Sequence, residues 1–293
     1  MREIQFRQAL GEAMSEEMRR DEKVFLMGEE VAEYNGAYKV SQGMLDEFGP
    51  DRVVDTPIAE LGFAGIGVGA AMNGLRPIIE FMTFNFSLVA IDQVINSAAK
   101  TMSMSGGQFN VPIVFRGPTG NAGMLSSQHS QNFESWYANT PGLKVVVPSN
   151  PYDAKGLLAT AIEDPNPVLF FEHKALYRSI RQEVPTDYYN LPLGKASVLT
   201  SGESISIISY GAGVHWALEV LENNEEISAD VIDLRTLQPL DVETIYESVK
   251  KTGKAIVLQE DSLFGGIASD ISALIMENCF EYLDAPVKRV ASL

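Results

Sequence analysis

Short apolar runs rich in β-branched residues alternate along the chain with stretches whose apolar residues recur every three or four positions. RPIIEFM (76–82), VPIVFRG (111–117), LKVVVPS (143–149) and PVLFFEHK (167–174) read as strands. Between them SLVAIDQVINSAAKTM, QNFESWYAN and PYDAKGLLATAIED carry helical spacing, with Leu88, Ile91, Val94 and Ile95 on one stripe. Near-continuous apolar strands separated by helices predict a mostly parallel sheet covered on both faces. The alternation lapses at RQEVPTDYYNLPLGKAS, which is polar and holds Pro185 and Pro192. It resumes with SISIISYG (204–211), a helix over 214–224, SADVIDLRT, a helix over 241–250, KAIVLQE (254–260) and a helix over 266–278. The pattern predicts an α/β chain with two parallel-sheet domains, 1–182 and 201–293, joined by a linker over 183–200. The last run, PVKRVASL, is strand-like with no element after it, so a trimmed second domain is expected.

One element departs from this rhythm. DTPIAELGFAGIGVGAAMNG (55–74) reads as a helix entered at Thr56-Pro57 and left at Asn73-Gly74. It is almost entirely small or apolar, and its only charges are Asp55 and Glu60. Each interior glycine costs roughly 1 kcal/mol relative to alanine, so Gly65, Gly67 and Gly69 suggest that another backbone passes very close. The triple Gly65-x-Gly67-x-Gly69 is not a dinucleotide fingerprint, having the wrong spacing and no strand-to-helix turn.

Two readings of Glu60 stand side by side. A carboxylate near a helix N-terminus gains about 0.3–1 kcal/mol from the helix dipole. A partly buried carboxylate instead binds protons more tightly, and can share one with a ligand nitrogen near neutral pH. Further along, Phe81, Phe84 and Phe86 cluster at a strand end. Phe81 reads as core, whereas Phe84 and Phe86 flank Asn85 where parallel sheets place ligands, so a flat ring could stack there. The long polar loop RGPTGNAGMLSSQHSQNFESWY (116–137) sets His129 at the opening of a helix, which favours chemistry over packing. His215 falls on an amphipathic helix and reads as surface or packing; His173, at a strand end, stays open.

Composition removes several classes. With 22 basic and 39 acidic residues the net charge is −17, which repels nucleic acid and leaves a solvated acidic surface. No run of eighteen apolar residues spans a membrane, and the N-terminus has no secretory signal pattern. The single cysteine, Cys279, forbids an internal disulfide and fits a reducing, cytoplasmic setting. His129, His173 and His215 stand at no zinc-ligand spacing.

GEEVAEYNGAYKVSQG, DTPIAELGFAGIGVGAAMNGLRPIIEFMTFNF, AIDQVINSAAK, QHSQNFESWYANTPGLKVVVPSNPYDAKGLL and VIDLRTLQPLD together resemble the β subunits of the thiamine-diphosphate-dependent 2-oxo acid dehydrogenases, most closely the pyruvate type. The likeness runs nearly end to end. It implies a pyrimidine-binding transketolase-like domain followed by a transketolase C-terminal-like domain. It also implies that Glu60 bonds the ring nitrogen of the cofactor's aminopyrimidine and favours its imino tautomer. Phe86 is then the aromatic packed on that ring, Met82 lines the pocket, and His129 aids acetyl transfer to a lipoyl group on the acyltransferase. Ile113, Ala161, Ile162, Asp164 and Asn166 match a cluster whose oxygens bind potassium, and such oxygens suit a hard cation. The chain has no GDG…N motif, so magnesium and the diphosphate are expected to be held by an α subunit in an α₂β₂ tetramer. The glycine-spaced helix would then pack closely in that tetramer.

Within the resemblance, EDPNPVLFFEHKALYR (163–178) is nearer to the branched-chain β subunit and FMTFNFS nearer to the pyruvate type. Family chains generally continue past PVKRVASL. The rivals are branched-chain 2-oxo acid or acetoin dehydrogenase activity, and a non-catalytic scaffold; retention of Glu60 and His129 argues against the scaffold.

Overall fold

A computed structural model describes residues 1–122 and 125–293. The chain divides into two compact units. The first comprises Met1–Val146 with Asn150–Leu193, the second Val147–Ser149 with Gly194–Leu293.

In the first unit the elements run β1 (Arg2–Gln5), α1 (Phe6–Arg20), β2 (Val24–Gly28), α2 (Met44–Phe48), β3 (Val53–Asp55), α3 (Glu60–Met72), β4 (Arg76–Glu80), α4 (Ala99–Met104), β5 (Val114–Thr119), α5 (Glu134–Ala138), β6 (Lys144–Val146), α6 (Pro151–Glu163), β7 (Val168–His173), α7 (Leu176–Ser179) and β8 (Arg181–Val184). Its main sheet orders β6-β7-β5-β4-β2-β3, with neighbouring strands parallel. Every residue of β5 and β7 is buried, as a sheet covered on both faces requires. On one face α1 lays down Phe6, Leu10, Met14 and Met18, a stripe four residues apart, against Ala154, Leu157 and Leu158 of α6. Helix α6 starts where Asn150 caps it, its side chain accepting from Asp153 N at 2.9 Å, with Pro151 in the first turn.

On the other face α3 buries Phe63, Ala64, Gly67, Val68 and Ala71. The helix begins at Glu60, after an uncapped Ala59, so Thr56-Pro57 precedes it and does not form its first turn. Asn73 and Gly74, the latter at φ +91°, end it as the sequence suggests. The close neighbours of its glycines are side chains and not a second backbone. A Cβ on Gly67 would meet Ile79 and Ile113, and one on Gly65 would meet Gln93.

Two further expectations change. The apolar stripe after Phe84 is not one helix: a tight turn (Phe84–Leu88), a wider π-type stretch (Gln93–Ala98) and α4 follow in series. Only the two ends of the stretch expected as linker lie in strands: β8 pairs antiparallel with β1, the strand Ser197–Thr200 belongs to the second sheet, and 185–196 between them forms neither strand nor helix.

The second unit contains β9 (Ser197–Thr200), β10 (Ile205–Ser209), α8 (Ala212–Glu222), β11 (Ala229–Asp233), β12 (Thr236–Gln238), α9 (Val242–Thr252), β13 (Ala255–Ser262), α10 (Ile267–Cys279) and β14 (Lys288–Ser292). Its sheet orders β14-β13-β10-β11-β9, all parallel except β9 at the edge. Both units are therefore α/β with parallel sheets. Among the described residues no helix is long and apolar enough to cross a membrane.

Candidate functional site

Parallel strands put all their C-terminal ends on one edge, and in the first unit that edge is where charge is buried. Glu29 follows β2, Glu60 opens α3 after β3, Glu80 closes β4, and Arg116 and Glu172 lie in β5 and β7. All five are buried, Arg116 and Glu172 completely. Register aligns them: Gly28 pairs with Glu80, Glu80 with Arg116, and Pro118 with Glu172.

Arg116 is the only cation bonded to Glu80 and Glu172 among the described residues. Its Nε donates to Glu172 Oε1 at 2.6 Å, its Nη2 to Glu172 Oε2 and its Nη1 to Glu80 Oε2. Tyr177 adds a hydroxyl to Glu172 Oε2 at 2.7 Å. Burial works against the guanidinium charge, but Glu172 and Glu80 outweigh it and hold Arg116 protonated well above its usual range. Burial pushes the Glu80 carboxyl up, Arg116 opposes this and Glu172 adds to it. Removing one partner from such a pair typically costs about 3–5 kcal/mol, because it strands a buried charge.

Glu29 and Glu60 face one another beside this network. Burial first, then the Glu60 carboxylate and finally Glu80 raise the Glu29 carboxyl from 4.5 to about 7. Glu29 Oε1 has no hydrogen-bond partner among the described residues. A buried carboxyl pair with an open oxygen, at the ligand-binding edge of a parallel sheet, can grip a heterocyclic nitrogen and hold a proton there.

The aromatic part of the site separates into core and surface. Phe81 is core, as its position suggested. Phe84 is core as well: it stacks on Phe171 with ring centroids 3.9 Å apart, so no ligand ring can stack on that face. Phe86 and Met82 are half-buried on the same strand-end edge as Glu60. The Phe86 ring meets His129, which is half-buried in a short turn (Ser127–His129) and not at the mouth of a helix. The loop expected around it includes Gly123 and Met124, which lie outside the described residues. Asn85 ties this loop down, its Oδ1 accepting from Gln131 N at 3.2 Å and Gln131 Nε2 at 3.3 Å. Lys174 Nζ donates to the His129 carbonyl.

His173 is buried at the end of β7, its Nδ1 accepting from Ala175 N at 3.3 Å. His215 packs in the second unit, bonded to the Ser149 carbonyl at 2.7 Å.

The five residues matched to a potassium cluster come together, but on the opposite edge. Ile113 precedes β5, while Ala161, Ile162, Asp164 and Asn166 end α6 and lead into β7. Pro165, four residues after Ala161, has no N–H to donate to the Ala161 carbonyl, which leaves a helix-end oxygen for a cation. Other oxygens are engaged: Ile162 O accepts from Arg76 at 2.8 Å, Ile113 O from Val168 N at 2.9 Å, and the Asp164 carboxylate takes Lys144 and Asn166. Carbonyl oxygens keep a second lone pair, so these bonds leave the cluster compatible with a hard cation.

Glu29, Glu80, Arg116 and Glu172 were not singled out from the sequence, and Asn85 was marked only by its place between Phe84 and Phe86. A signal was there: RPIIEF, VPIVFRG and VLFFEH each end an apolar strand with a charge that a doubly covered sheet must bury.

The chain matches the transketolase pyrimidine-binding domain over residues 2–179 and the transketolase C-terminal domain over residues 194–293. It is 54% identical to a pyruvate dehydrogenase E1 component subunit beta of Rickettsia bellii, over 99% of this chain and 89% of that protein. Mitochondrial counterparts from Caenorhabditis elegans and rice (subunit beta-1) are 54% and 52% identical, covering 98% and 99% of this chain and 83% and 79% of theirs. In fold it is similar to a solved split gene transketolase, described as an inactive beta4 tetramer, with a TM-score of 0.79 at 22% identity. That match covers 98% of this chain and 88% of the other.

Proposed function

The chain belongs to the family of pyruvate dehydrogenase E1 component β subunits, thiamine-diphosphate-dependent enzymes on the transketolase pyrimidine-binding and C-terminal domains, and from that premise we propose how its residues serve oxidative decarboxylation of pyruvate. The observation that carries the reading is the buried Glu60 beside Glu29, whose Oε1 has no partner among the described residues. Bound thiamine diphosphate supplies the electron sink that 2-oxo acid decarboxylation needs. Glu60 holds the ring nitrogen of its aminopyrimidine and keeps a proton at that atom. Phe86 and Met82 pack on the pyrimidine and keep water away from it. His129, in contact with Phe86, would donate a proton to the sulfur released when the lipoyl disulfide opens and its other sulfur takes the acetyl group.

The diphosphate and magnesium fall to an α subunit carrying the GDG…N motif that this sequence lacks, in an α₂β₂ assembly that passes acetyl groups to a lipoyl acyltransferase. Potassium at Ile113, Ala161, Ile162, Asp164 and Asn166 is structural, since those residues stand on the edge away from Glu60. A cytoplasmic setting suits the single buried cysteine.

The test is co-expression with such an α chain. Wild type should decarboxylate pyruvate in preference to 2-oxoisovalerate. Glu60→Gln should assemble normally and lose at least ~10²-fold in rate. Near-normal turnover by that variant refutes the role of Glu60, and preference for 2-oxoisovalerate moves the enzyme to the branched-chain type.

A further inference from the structure

Although the chain has 39 acidic residues against 22 basic ones, three guanidiniums gather at one corner of the first unit. Helix α7 supplies Arg178 and the start of β8 supplies Arg181, both exposed. Register sets Arg181 opposite Gln5 of β1. The Gln5 side chain accepts from Arg7 Nε at 2.9 Å, and Arg7 Nη1 reaches the Tyr38 carbonyl at 3.5 Å. Tyr38 in turn lines a cavity with Tyr177, Lys174 and Arg178. Arg7, Arg178 and Arg181 thus converge on Gln5 and Tyr38, and none of them forms an ion pair among the described residues. The acids of the neighbourhood lie aside. Glu12 is taken by Arg2 and Lys155, and Glu3 and Glu183 face each other two positions along the β1–β8 ribbon from Gln5 and Arg181. Burial, then the charges of Arg178 and Arg181, hold Arg7 below the usual guanidinium range.

This basic corner adjoins the candidate site. Helix α7 follows β7, whose C-terminal end stands on the same edge as Glu60, and Lys174 lines the cavity beside Arg178. Lys174 also donates to the His129 carbonyl. Whatever brings a lipoyl group to His129 therefore sets its own surface down next to these cations. The planar fork of a guanidinium matches a carboxylate and is weakly hydrated, so an exposed cluster with no acid of its own suits acids from another chain. We propose that Arg7, Arg178 and Arg181 receive an acidic face on the lipoyl-bearing domain of the acyltransferase and aim its lipoyl arm at His129. Arg7, held by Gln5 and Tyr38, anchors the corner, while Arg178 and Arg181 reach outward. The inference rests on the pyruvate dehydrogenase reading, and adds where the acyl acceptor lands and what charge it brings. The α subunit or a second copy of this acidic chain would also supply carboxylates, but only the lipoyl carrier has to visit His129 in every turnover.

The test compares two acceptors on the assembled α–β enzyme: the lipoylated domain of the acyltransferase, and free lipoamide, which brings no protein surface. In the double variant Arg178→Glu, Arg181→Glu, kcat/KM for the domain should fall at least ~10-fold, mostly through KM, while kcat/KM for lipoamide stays at the wild-type value. Added salt should erode the wild-type kcat/KM for the domain and affect that of the variant much less. Arg178→Gln with Arg181→Gln removes the charge without reversing it, and should fall between the two. Equal losses with both acceptors, or no loss with either, overturn the inference. Weaker α–β association of the variant by sedimentation, or a change in the number of β chains per assembly, also overturns it, because the corner then belongs to the α subunit or to a second copy. Calorimetric binding of the domain, measured without pyruvate, separates this inference from the reading beneath it. Arginine-dependent binding by a wild type that does not turn over pyruvate marks failure of the pyruvate reading. Turnover of pyruvate with binding that ignores the arginines marks failure of this one.

Discussion

Phe86 and His129 meet edge to face, with ring centroids 5.2 Å apart and planes at 89°. The ring assigned to the cofactor and the ring assigned to the acyl acceptor are therefore in contact, although 43 positions separate 86 from 129 in the chain. Their roles should still separate by assay. In His129→Ala, decarboxylation to an artificial electron acceptor should stay within about 10-fold of wild type, while acetyl transfer to lipoyl groups falls ~10²-fold or more. Phe86→Leu keeps an apolar side chain but loses the flat face, and should depress both reactions together. Equal losses in the two assays for His129→Ala would remove it from the transfer step.

Glu29 gives the first unit a specific dependence on pH. In the fold its carboxyl is raised from 4.5 to about 7, by burial and then by Glu60. The folded chain therefore keeps a proton that the unfolded chain releases near the ordinary value. The stabilisation from that proton is complete below pH 4.5, fades as pH rises, and is gone above about 7. Glu29→Gln imitates the protonated form at every pH. The difference in thermal midpoint between variant and wild type should thus widen from pH 4.5 to about 7 in favour of the variant, then level off. A difference that stays constant across that window would show that Glu29 does not titrate there.

The alternation of strands and helices was legible because doubly covered parallel strands must be apolar along their length, and α1 and α6 must show stripes. Glu60 was legible for the opposite reason, as a charge in an otherwise apolar element. The other buried charges were not, since a Glu or Arg at the end of an apolar run reads locally as the run's end. Only the register of β2, β4, β5 and β7 gathers Glu29, Glu80, Arg116 and Glu172 on one edge, and that register is long-range information. The same limit hid β8, whose partner β1 begins at Arg2, about 180 residues earlier, and whose residues are mostly exposed. Phe84 and Phe86 look alike in sequence; the tight turn between Thr83 and Val89 sends one onto Phe171 and the other towards His129.

The cation reading of the 161–166 turn makes a prediction about salt. With Pro165 unable to donate, the Ala161 carbonyl lacks its helical N–H partner and is open to a cation. The assembled enzyme should melt a few degrees higher in potassium chloride than in choline chloride of equal ionic strength, through preferential binding to the folded state. Asp164→Ala, which also frees Lys144, should abolish the difference between the two salts. Identical midpoints for wild type in both salts would leave Arg76 and Lys144 as the only cations that turn needs.

Helix α3 carries two glycines whose surroundings differ, and they should answer differently to one added methyl group. At Gly67 the new Cβ would come within 2.7 Å of Ile79 Cδ1 and 3.2 Å of Ile113 Cδ1. Overpacking of that kind costs about 1–3 kcal/mol, partly offset by the roughly 1 kcal/mol that an interior glycine forfeits. Gly67→Ala should therefore lower the thermal midpoint or leave it nearly level, and should not raise it by the full propensity gain. At Gly69 the added Cβ would meet nothing within 4 Å among the described residues beyond its own helix backbone and chain neighbours, so the propensity gain should appear undiminished in this chain. Gly69 shares the outer side of α3 with Gly62 and Ile66, the last 63% exposed. If this side is what the α subunit packs on, Gly69→Ala should weaken the α–β association measured by sedimentation while stabilising the β chain itself. An association constant equal to wild type, with the β chain more stable, would place the α subunit on another face.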